Sequence, residues 1–555
     1  MKEPQFNYAW LPFWASITLA VGMFIGNWNS NSSEYHLSDT FDYEYARRNN
    51  FNMLLHIIEQ QYVDSVNSKE LTDNAMTSIL KELDPHSAYI PAEDLESVNE
   101  ELEGSFSGIG IQFNLLNDTI NVVDVISGGP SERCGLMPGD RIITVDDSLY
   151  VGKNITNEKV MKNLRGAKGS VVKLGIQRKG ESELLTFEVE RGDIPLHSVD
   201  ASFIISPGIG YILVSKFGRT TFEEFLVALA RLRNEGAESY IIDLRGNGGG
   251  YMDAAINMVN EFMMAGELIV YTEGRAFPRE DAVANGMGSF KEQPVIVLTD
   301  EWSASASEIF AGAIQDNDRG LVVGRRTFGK GLVQNQLPLS DGSAVRLTIA
   351  RYHTPSGRCI QKDYAMGDDE SYNMDILNRY NRGEFFSADS IKQHTDLVFT
   401  TAGGRTVYGG GGIMPDVFIP SDTTHVTPYY TDVINKSLLY KYAFEYVDSN
   451  RERLSQADNY KELLSMLDSN RLINDFIAYA DKNGVPARYA DIKVSRAVLL
   501  RLLQAYIARD VIGDEAFNPI FMSDDKVIEE ACRLIQEGNA FPELPEEEVD
   551  DVVEE

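Results

Sequence analysis

From residue 209 onward, short aliphatic runs alternate with segments of helical period, and this alternation restricts the fold more than anything else in the chain. Residues 209–216 read as a strand and 222–233 as a helix; 239–244 form a second strand, 252–264 a second helix and 294–299 a third strand. Alternation of this kind implies parallel pairing and a layered core. Two of the strands run directly into small, polar segments, DLRGNGGG after the second and SASAS after the third. Functional groups of such sheets gather beyond the carboxyl ends of the strands, so both segments are expected on one rim.

The run SASASEIFAGAIQDNDRGLVVGRRTFGKGLVQ carries the chemistry. Ser305 opens an apolar-periodic helix (Ile309, Phe310, Ala313, Ile314), and Lys330 follows 25 residues later between two glycines, beside Phe328, Leu332 and Val333. A helix N-terminus concentrates unpaired N–H donors and positive dipole, which suits a developing oxyanion. A lysine among apolar neighbours is pushed towards its neutral form and can serve as a base. Plainer readings exist for both: serine clusters cap helices, and a lysine in a glycine turn is ordinarily a surface residue. A phosphate loop is not matched, because GRRTFGKG ends in glycine where Ser or Thr is required.

The 555 residues exceed what one hydrophobic core supports, so several domains are expected. A net charge of −34 argues against sequence-independent nucleic-acid binding, which needs basic patches to displace counterions. Much of the acid lies in the tail PELPEEEVDDVVEE, read as a solvated end. Cys134, Cys359 and Cys532 are odd in number and far apart, which disfavours a disulfide framework, and the histidines form no HExxH pair.

Residues 8–28 (YAWLPFWASITLAVGMFIGNW) are apolar and uncharged, with tryptophans near both ends. That is close to the ~20 residues of a membrane-spanning helix. A cleaved signal peptide is the rival reading, but no A-x-A-like site precedes the polar residues that follow. Either way the body of the chain is expected outside the cytoplasm. After a polar linker come two helical patterns, one on Phe51, Leu54, Leu55, Ile58 and Tyr62, the other on Met76, Ile79, Leu80 and Leu83.

Between residues 101 and 191, five β-rich runs (GIGIQFN, TINVVDVI, DRIITVDD, VVKLGIQRK, ELLTFEVER) are interrupted by helical segments at SERCGL and NEKVMKNLRG. The stretch GGPSERCGLMPGDRIITVDD resembles a PDZ domain of the protease type. In that light Gly108, Ile109, Gly110 and Ile111 become the peptide-binding turn, whose N–H groups converge on a terminal carboxylate beside a strand edge. Taken alone, GIGI is only a glycine-containing turn.

With the PDZ pattern upstream, the Ser305–Lys330 run resembles the catalytic segment of carboxy-terminal processing proteases, a family of serine peptidases with a Ser/Lys dyad. LDPHSAYI, RLTIARYHTPSGRCIQ and GGGGIMPDVFIP are similar to further landmarks of that family, and the likeness covers about residues 39–420. It implies a multidomain α+β chain: N-terminal helices, a β-rich PDZ domain, an α/β layered core of the ClpP/crotonase-like type and a C-terminal helical region. The boundaries are 1–30 for the anchor or signal, 39–100 for the N-terminal helices, 101–191 for the PDZ domain and 193–420 for the core. Residues 427–540 form the C-terminal helices and 541–555 the acidic tail. RLTIARYHTPSGRCIQ is expected to continue the central sheet, and the polar residues 363–394 to form an inserted loop or subdomain.

Several residue roles follow from the same likeness. Among the three serines the 25-residue spacing selects Ser305 as nucleophile, with Ser303 as a helix-capping neighbour and Lys330 as base. Gln334 would orient the base. The N–H of Ala306 and a glycine of DLRGNGGG, Gly249 with Gly250 as rival, would hold the oxyanion. Asp316 falls on an acidic position, read either as a charge-relay acid or as helix-end structure. Trp302 before SASAS and Gly248 in place of a common proline depart from the family pattern.

The implied activity is cleavage of exported proteins recognised through their C-termini, by acyl transfer without metal or organic cofactor. Implied partners are protein or peptide substrates with exposed C-termini and the inner membrane, with an adaptor protein and a homo-oligomer left open. Nucleic acid is not among them. The implied site of action is the periplasm, with the chain anchored to the inner membrane. The alternative is a non-catalytic PDZ-bearing scaffold that binds C-terminal peptides. A small-molecule carrier on the same core is disfavoured by the PDZ segment.

Overall fold

The computed structural model describes residues 50–116, 118–126, 128–152 and 155–545, so the apolar segment 8–28 and residues 546–555 of the acidic tail lie outside it. The chain divides into two compact units, Met1–Leu80 and Lys81–Glu555. In the first, the helix Asn50–Gln61 buries none of its residues. Among the described residues no helix is long and apolar enough to cross a membrane.

The second unit is built on a central sheet. Its elements begin with strands β1 (Val199–Ser206) and β2 (Ile209–Val214), helix α1 (Thr221–Asn234), β3 (Ser239–Asp243) and helix α2 (Met252–Asn260). There follow β4 (Leu268–Glu273), β5 (Glu280–Val283), β6 (Val295–Thr299), helix α3 (Ala306–Asp316) and β7 (Leu321–Gly324). Strands β1, β2, β3, β6 and β7 lie side by side in that order, with the short strand Val417–Phe418 at the far edge. All neighbours are parallel except β1 and β2.

Every residue of β3, β6 and β7 is buried, as expected of parallel strands covered on both faces. Helices α1, α2 and α3 cover one face, where Phe225, Met258, Phe262 and Phe310 pack against Ile212, Ile242 and Val297. The other face is covered from far along the chain. The last helix, Lys526–Gln536, lays Val527, Ile528, Ala531 and Leu534 on Tyr211, Ile241, Ile296 and Leu298. The region 427–540 is therefore split. Helices from Pro428 to Phe521 form a separate apolar core, and the final helix belongs to the central layer.

RLTIARYH does not continue this sheet. Strands β8 (Leu332–Pro338) and β9 (Ala344–His353) form a hairpin, closed where the Leu339 N–H donates to the Ser343 carbonyl at 2.8 Å. A hairpin pairs antiparallel with itself, and β9 goes on to pair antiparallel with β4 and with the strand Ala88–Ile90. A second, antiparallel sheet results, and apolar residues from it, Ile269, Val270 and Tyr352, share one core with α3.

The five β-rich runs form one antiparallel sheet around Ile120, Val122, Ile142, Val172 and Leu174. The chain enters and leaves this domain through the paired strands Ser105–Gly108 and Gly192–Pro195. The helix Leu438–Leu454 leans on it: Tyr440 and Phe444 pack on Val123, and Asp448 pairs with Arg141 at 3.3 Å and Lys179 at 3.4 Å.

Candidate active site

Helix α3 is buried along its whole length. A polar group in such a helix is costly unless bonded, and its partners define the site. Ser307 Oγ donates to the Asn247 carbonyl at 2.9 Å, and just before the helix Ser303 Oγ donates to the Leu244 carbonyl at 2.8 Å. Both bonds fasten SASAS to the DLRGNGGG turn. Ser303 is thus a loop anchor, not the expected cap; the residue at the N-cap position is Ser305 itself. Ser305 Oγ accepts from the Glu308 N–H in a capping box and donates to no described acceptor, so of the three hydroxyls it alone keeps its proton uncommitted.

Ser305 has φ 56° and ψ −113°, a conformation that non-glycine residues avoid. Such strain costs about 1–3 kcal/mol and persists only where surrounding structure imposes it. The glycine turn does so. A Cβ on Gly249 would lie 2.7 Å from Ser305 Cβ and 3.0 Å from the Ala306 nitrogen, so only glycine fits against the serine. Asn247 holds the turn, donating from Nδ2 to the Val214 carbonyl and accepting the Gly249 N–H, both at 2.8 Å. Arg245 bonds Asp243 and reaches Asp525 of the last helix's N-cap at 2.8 Å.

The expected oxyanion donors fall as follows. The Ala306 N–H, at the first position of α3, donates to no described acceptor. The Gly249 N–H is engaged by Asn247, whereas those of Gly248 and Gly250 donate to no described acceptor. Gly250 therefore has the free donor that Gly249 lacks. Trp302 is 53% exposed.

Lys330 and Ser305 are held by one carboxylate that sequence reasoning passed over. Glu308 is fully buried; Oε1 accepts from Thr327 Oγ1 at 2.5 Å and the Gly329 N–H at 2.7 Å, and Oε2 from the Lys330 N–H at 2.8 Å and the Ser305 N–H at 2.9 Å. Burial outweighs these four bonds and pushes its carboxyl up to about 7. The signal was available, since S-x-x-E at a helix start is a capping box. A second tie has no sequence signature: the buried Tyr352 hydroxyl lies 3.0 Å from the Ser305 carbonyl and 2.7 Å from the Lys330 carbonyl.

Burial lowers the pKa of the Lys330 ammonium and nearby Arg346 lowers it further, against Glu308 and Asp84, which raise it. Its Nζ lies 3.4 Å from Gln334 Oε1 and makes no hydrogen bond to Ser305 Oγ. The Gln334 amide is itself fixed, donating from Nε2 to the His86 carbonyl at 2.6 Å. Serine and lysine are thus tied to each other through Glu308 and Tyr352, and the lysine to the glutamine.

Asp316 is not part of this group. It ends α3, some 16 Å from Ser305 at 1.5 Å per residue. There it pairs with the buried Arg358 at 2.7 Å and accepts from Ser356 Oγ at 2.6 Å. Of its two sequence readings, the charge relay is replaced by helix-end structure. In the PDZ domain, Gly110 has φ +76°, Ile109 is buried, and Ile111 begins a strand at the sheet edge whose outer side is unpaired. Gly108 ends the entry strand. No group of His, Cys, Asp and Glu suited to a metal occurs among the described residues, and all three cysteines are free.

Comparison with known proteins places these features in a family. Residues 208–370 match the model of peptidase family S41, residues 107–190 that of the PDZ domain and residues 429–513 a family of unknown function, DUF8443. The chain is 36% identical over 309 residues to carboxy-terminal processing protease CtpB of Bacillus subtilis, covering 55% of this chain and 64% of that one. It is also 36% identical over 324 residues to the carboxy-terminal-processing protease of Bartonella bacilliformis, covering 57% and 73%. A solved photosystem II D1 C-terminal processing protease aligns with 68% of this chain and 89% of its own at 25% identity, with a TM-score of 0.35. With the Bartonella relative matched over nearly three quarters of its length, the chain belongs to the carboxy-terminal processing proteases, serine-type peptidases of family S41.

Proposed function

We propose that the chain is a serine endopeptidase in which Ser305 attacks the peptide carbonyl and neutral Lys330 takes the hydroxyl proton. The observation that carries this reading is the shared carboxylate of Glu308, which binds the backbone N–H of both residues, beside a Ser305 hydroxyl whose proton goes to no described acceptor. Lys330 Nζ then transfers the proton to the leaving amine, and water hydrolyses the acyl-enzyme with Lys330 again as base. The Ala306 N–H and a donor from the Gly248–Gly250 turn face the position of the oxyanion. Gln334 orients the base.

The PDZ domain delivers substrates by their C-termini. Gly110 gives the carboxylate-binding turn its shape, and the unpaired edge strand beginning at Ile111 offers a place for a peptide strand. The apolar segment 8–28 suits a membrane anchor that places the enzyme outside the cytoplasm, with exported proteins as substrates.

The test is cleavage of an unstructured protein with an apolar C-terminal tail by the full chain and by Ser305→Ala, the tail being free in one substrate and amidated in another. Cleavage by the parent chain alone, much faster with the free tail, is expected. Equal behaviour of Ser305→Ala removes the enzyme and leaves the peptide-binding scaffold. Equal rates for free and amidated tails remove carboxylate recognition.

A further inference from the structure

The polar segment 363–394 reads as an insertion, yet its helix α4 (Asp369–Asn381) is fastened to the turn that carries Lys330. Arg379 is buried and donates to the Arg326 and Thr327 carbonyls at 2.7 and 2.9 Å. Just before α4, the Lys362 ammonium lies 3.8 Å from the Phe328 ring centre and 4.0 Å from that of Tyr372, and the Lys362 backbone N–H donates to the Gly329 carbonyl at 2.9 Å. Residues 326–329 are thereby gripped on the approach to Lys330.

On the other side of the lysine the same helix makes a second connection. Tyr372, 3% exposed, places its hydroxyl 2.9 Å from His86 Nε2, with the two rings edge to face at 5.1 Å. The His86 carbonyl accepts from Gln334 Nε2 at 2.6 Å, which leaves Gln334 Oε1 facing Lys330 Nζ. Asp84, bonded to the His86 N–H and to the hydroxyls of Ser87 and Thr348, fixes the far side of the histidine. A primary amide has one acceptor end, and a carbonyl partner for its nitrogen dictates which end the lysine meets.

We propose that Tyr372 and His86 are positioning residues for the base, holding the Gln334 amide so that its oxygen faces Lys330. The proposal rests on the reading of Lys330 as base. One Nζ–H is then spent on Gln334, and the lone pair of the neutral amine is directed elsewhere, towards the serine. Released, the amide could turn its NH2 to the lysine, which disfavours the ammonium and leaves the neutral amine unaimed. His86 stays neutral throughout the working range, since burial and Lys330 push it down to about 4. The charged groups facing Lys330 are Arg346, Glu308 and Asp84; Lys362 and Asp84 also act on His86.

The test uses the full chain with Tyr372→Phe, which keeps the ring against Lys362 and Phe328, and with His86→Ala, which keeps the backbone carbonyl. In each, kcat is expected to fall about tenfold, the worth of one hydrogen bond realised in the transition state. KM should stay unchanged and the acidic limb of the pH–rate profile should move to lower pH. Added to Gln334→Ala, neither substitution should cost anything further. An unchanged kcat and profile for Tyr372→Phe overturns the proposal. So does a full additional loss in the Gln334→Ala background, or a fall in kcat with an unmoved limb and a lowered melting temperature, which is mere structural support. Should the parent chain cleave nothing, the proposed function fails separately. The positioning claim is then decided by titrating Lys330 in isotope-labelled protein by NMR, assigned with Lys330→Arg. A downward shift in Tyr372→Phe supports it and no shift overturns it.

Discussion

Replacing Glu308 by glutamine separates what the buried carboxylate does for the site from what it does for stability. Its rise from the ordinary 4.5 to about 7 means that ionising it inside the protein costs about 3 kcal/mol more than in water. Glutamine removes that cost. It also replaces one oxygen by an NH2 group, so two of the four donors now bonded, either the Ser305 and Lys330 N–H groups or Thr327 and Gly329, lose their acceptor. Two such losses in a buried site cost roughly 2–6 kcal/mol. At pH 8 the opposing effects nearly cancel, and global stability should change by no more than about 3 kcal/mol. Catalysis has no such compensation, because a displacement of about 1 Å between Ser305 and Lys330 costs on the order of 100-fold in rate.

The same carboxyl sets a pH signature. With the folded value raised, its contribution is fully present below pH 4.5 and is lost as the pH rises to about 7, so the parent chain should lose stability across that interval. Glu308→Gln should lack this loss. Denaturant unfolding at pH 5 and pH 8, beside cleavage rates, reads both quantities. Activity within about threefold of the parent, or an identical pH dependence of stability, would refute the reasoning.

Other outcomes follow from neighbouring residues. Ser305→Gly and Ser305→Ala should both be inactive, with the glycine form more stable by about 1 kcal/mol because φ 56° no longer carries a Cβ; equal unfolding midpoints would show that no strain is stored there. Gly249→Ala should abolish cleavage and lower the melting temperature, since its Cβ would sit 2.8 Å from the Ala304 carbonyl. Arg346→Gln removes a charge that depresses Lys330, so the acidic limb of the rate profile should move to higher pH. Asp316→Asn should destabilise the chain by about 3–5 kcal/mol, the cost of breaking a buried pair, while the limb set by Lys330 stays in place.

Local patterns made much of this legible in the sequence. The parallel strands announce themselves as short, largely apolar runs, and the spacing to Lys330 singles out the serine whose hydroxyl proton the structure leaves uncommitted. What escaped was long-range. Asp316 could be taken for a relay acid because Arg358, its partner, lies 42 residues further on. β9 could be assigned to the wrong sheet because strand periodicity does not say which edge a hairpin will choose. The insertion looked peripheral because its surface is polar, whereas the buried residues of its helix α4, Tyr372 and Arg379, face the lysine turn. Glu308 alone was readable and missed: its spacing signals a cap, but nothing local reports that the cap also grips Gly329 and Lys330.

The central claim is that Ser305 and Lys330 form one catalytic unit, and cleavage of a tailed protein by the full chain, Ser305→Ala, Lys330→Ala and the double variant tests it most directly. Groups that act as a unit are not additive. The account therefore predicts that either single substitution removes all cleavage above background and that the double variant is no worse. Residual cleavage by Lys330→Ala well above that of Ser305→Ala, with a further drop when the two are combined, would contradict it.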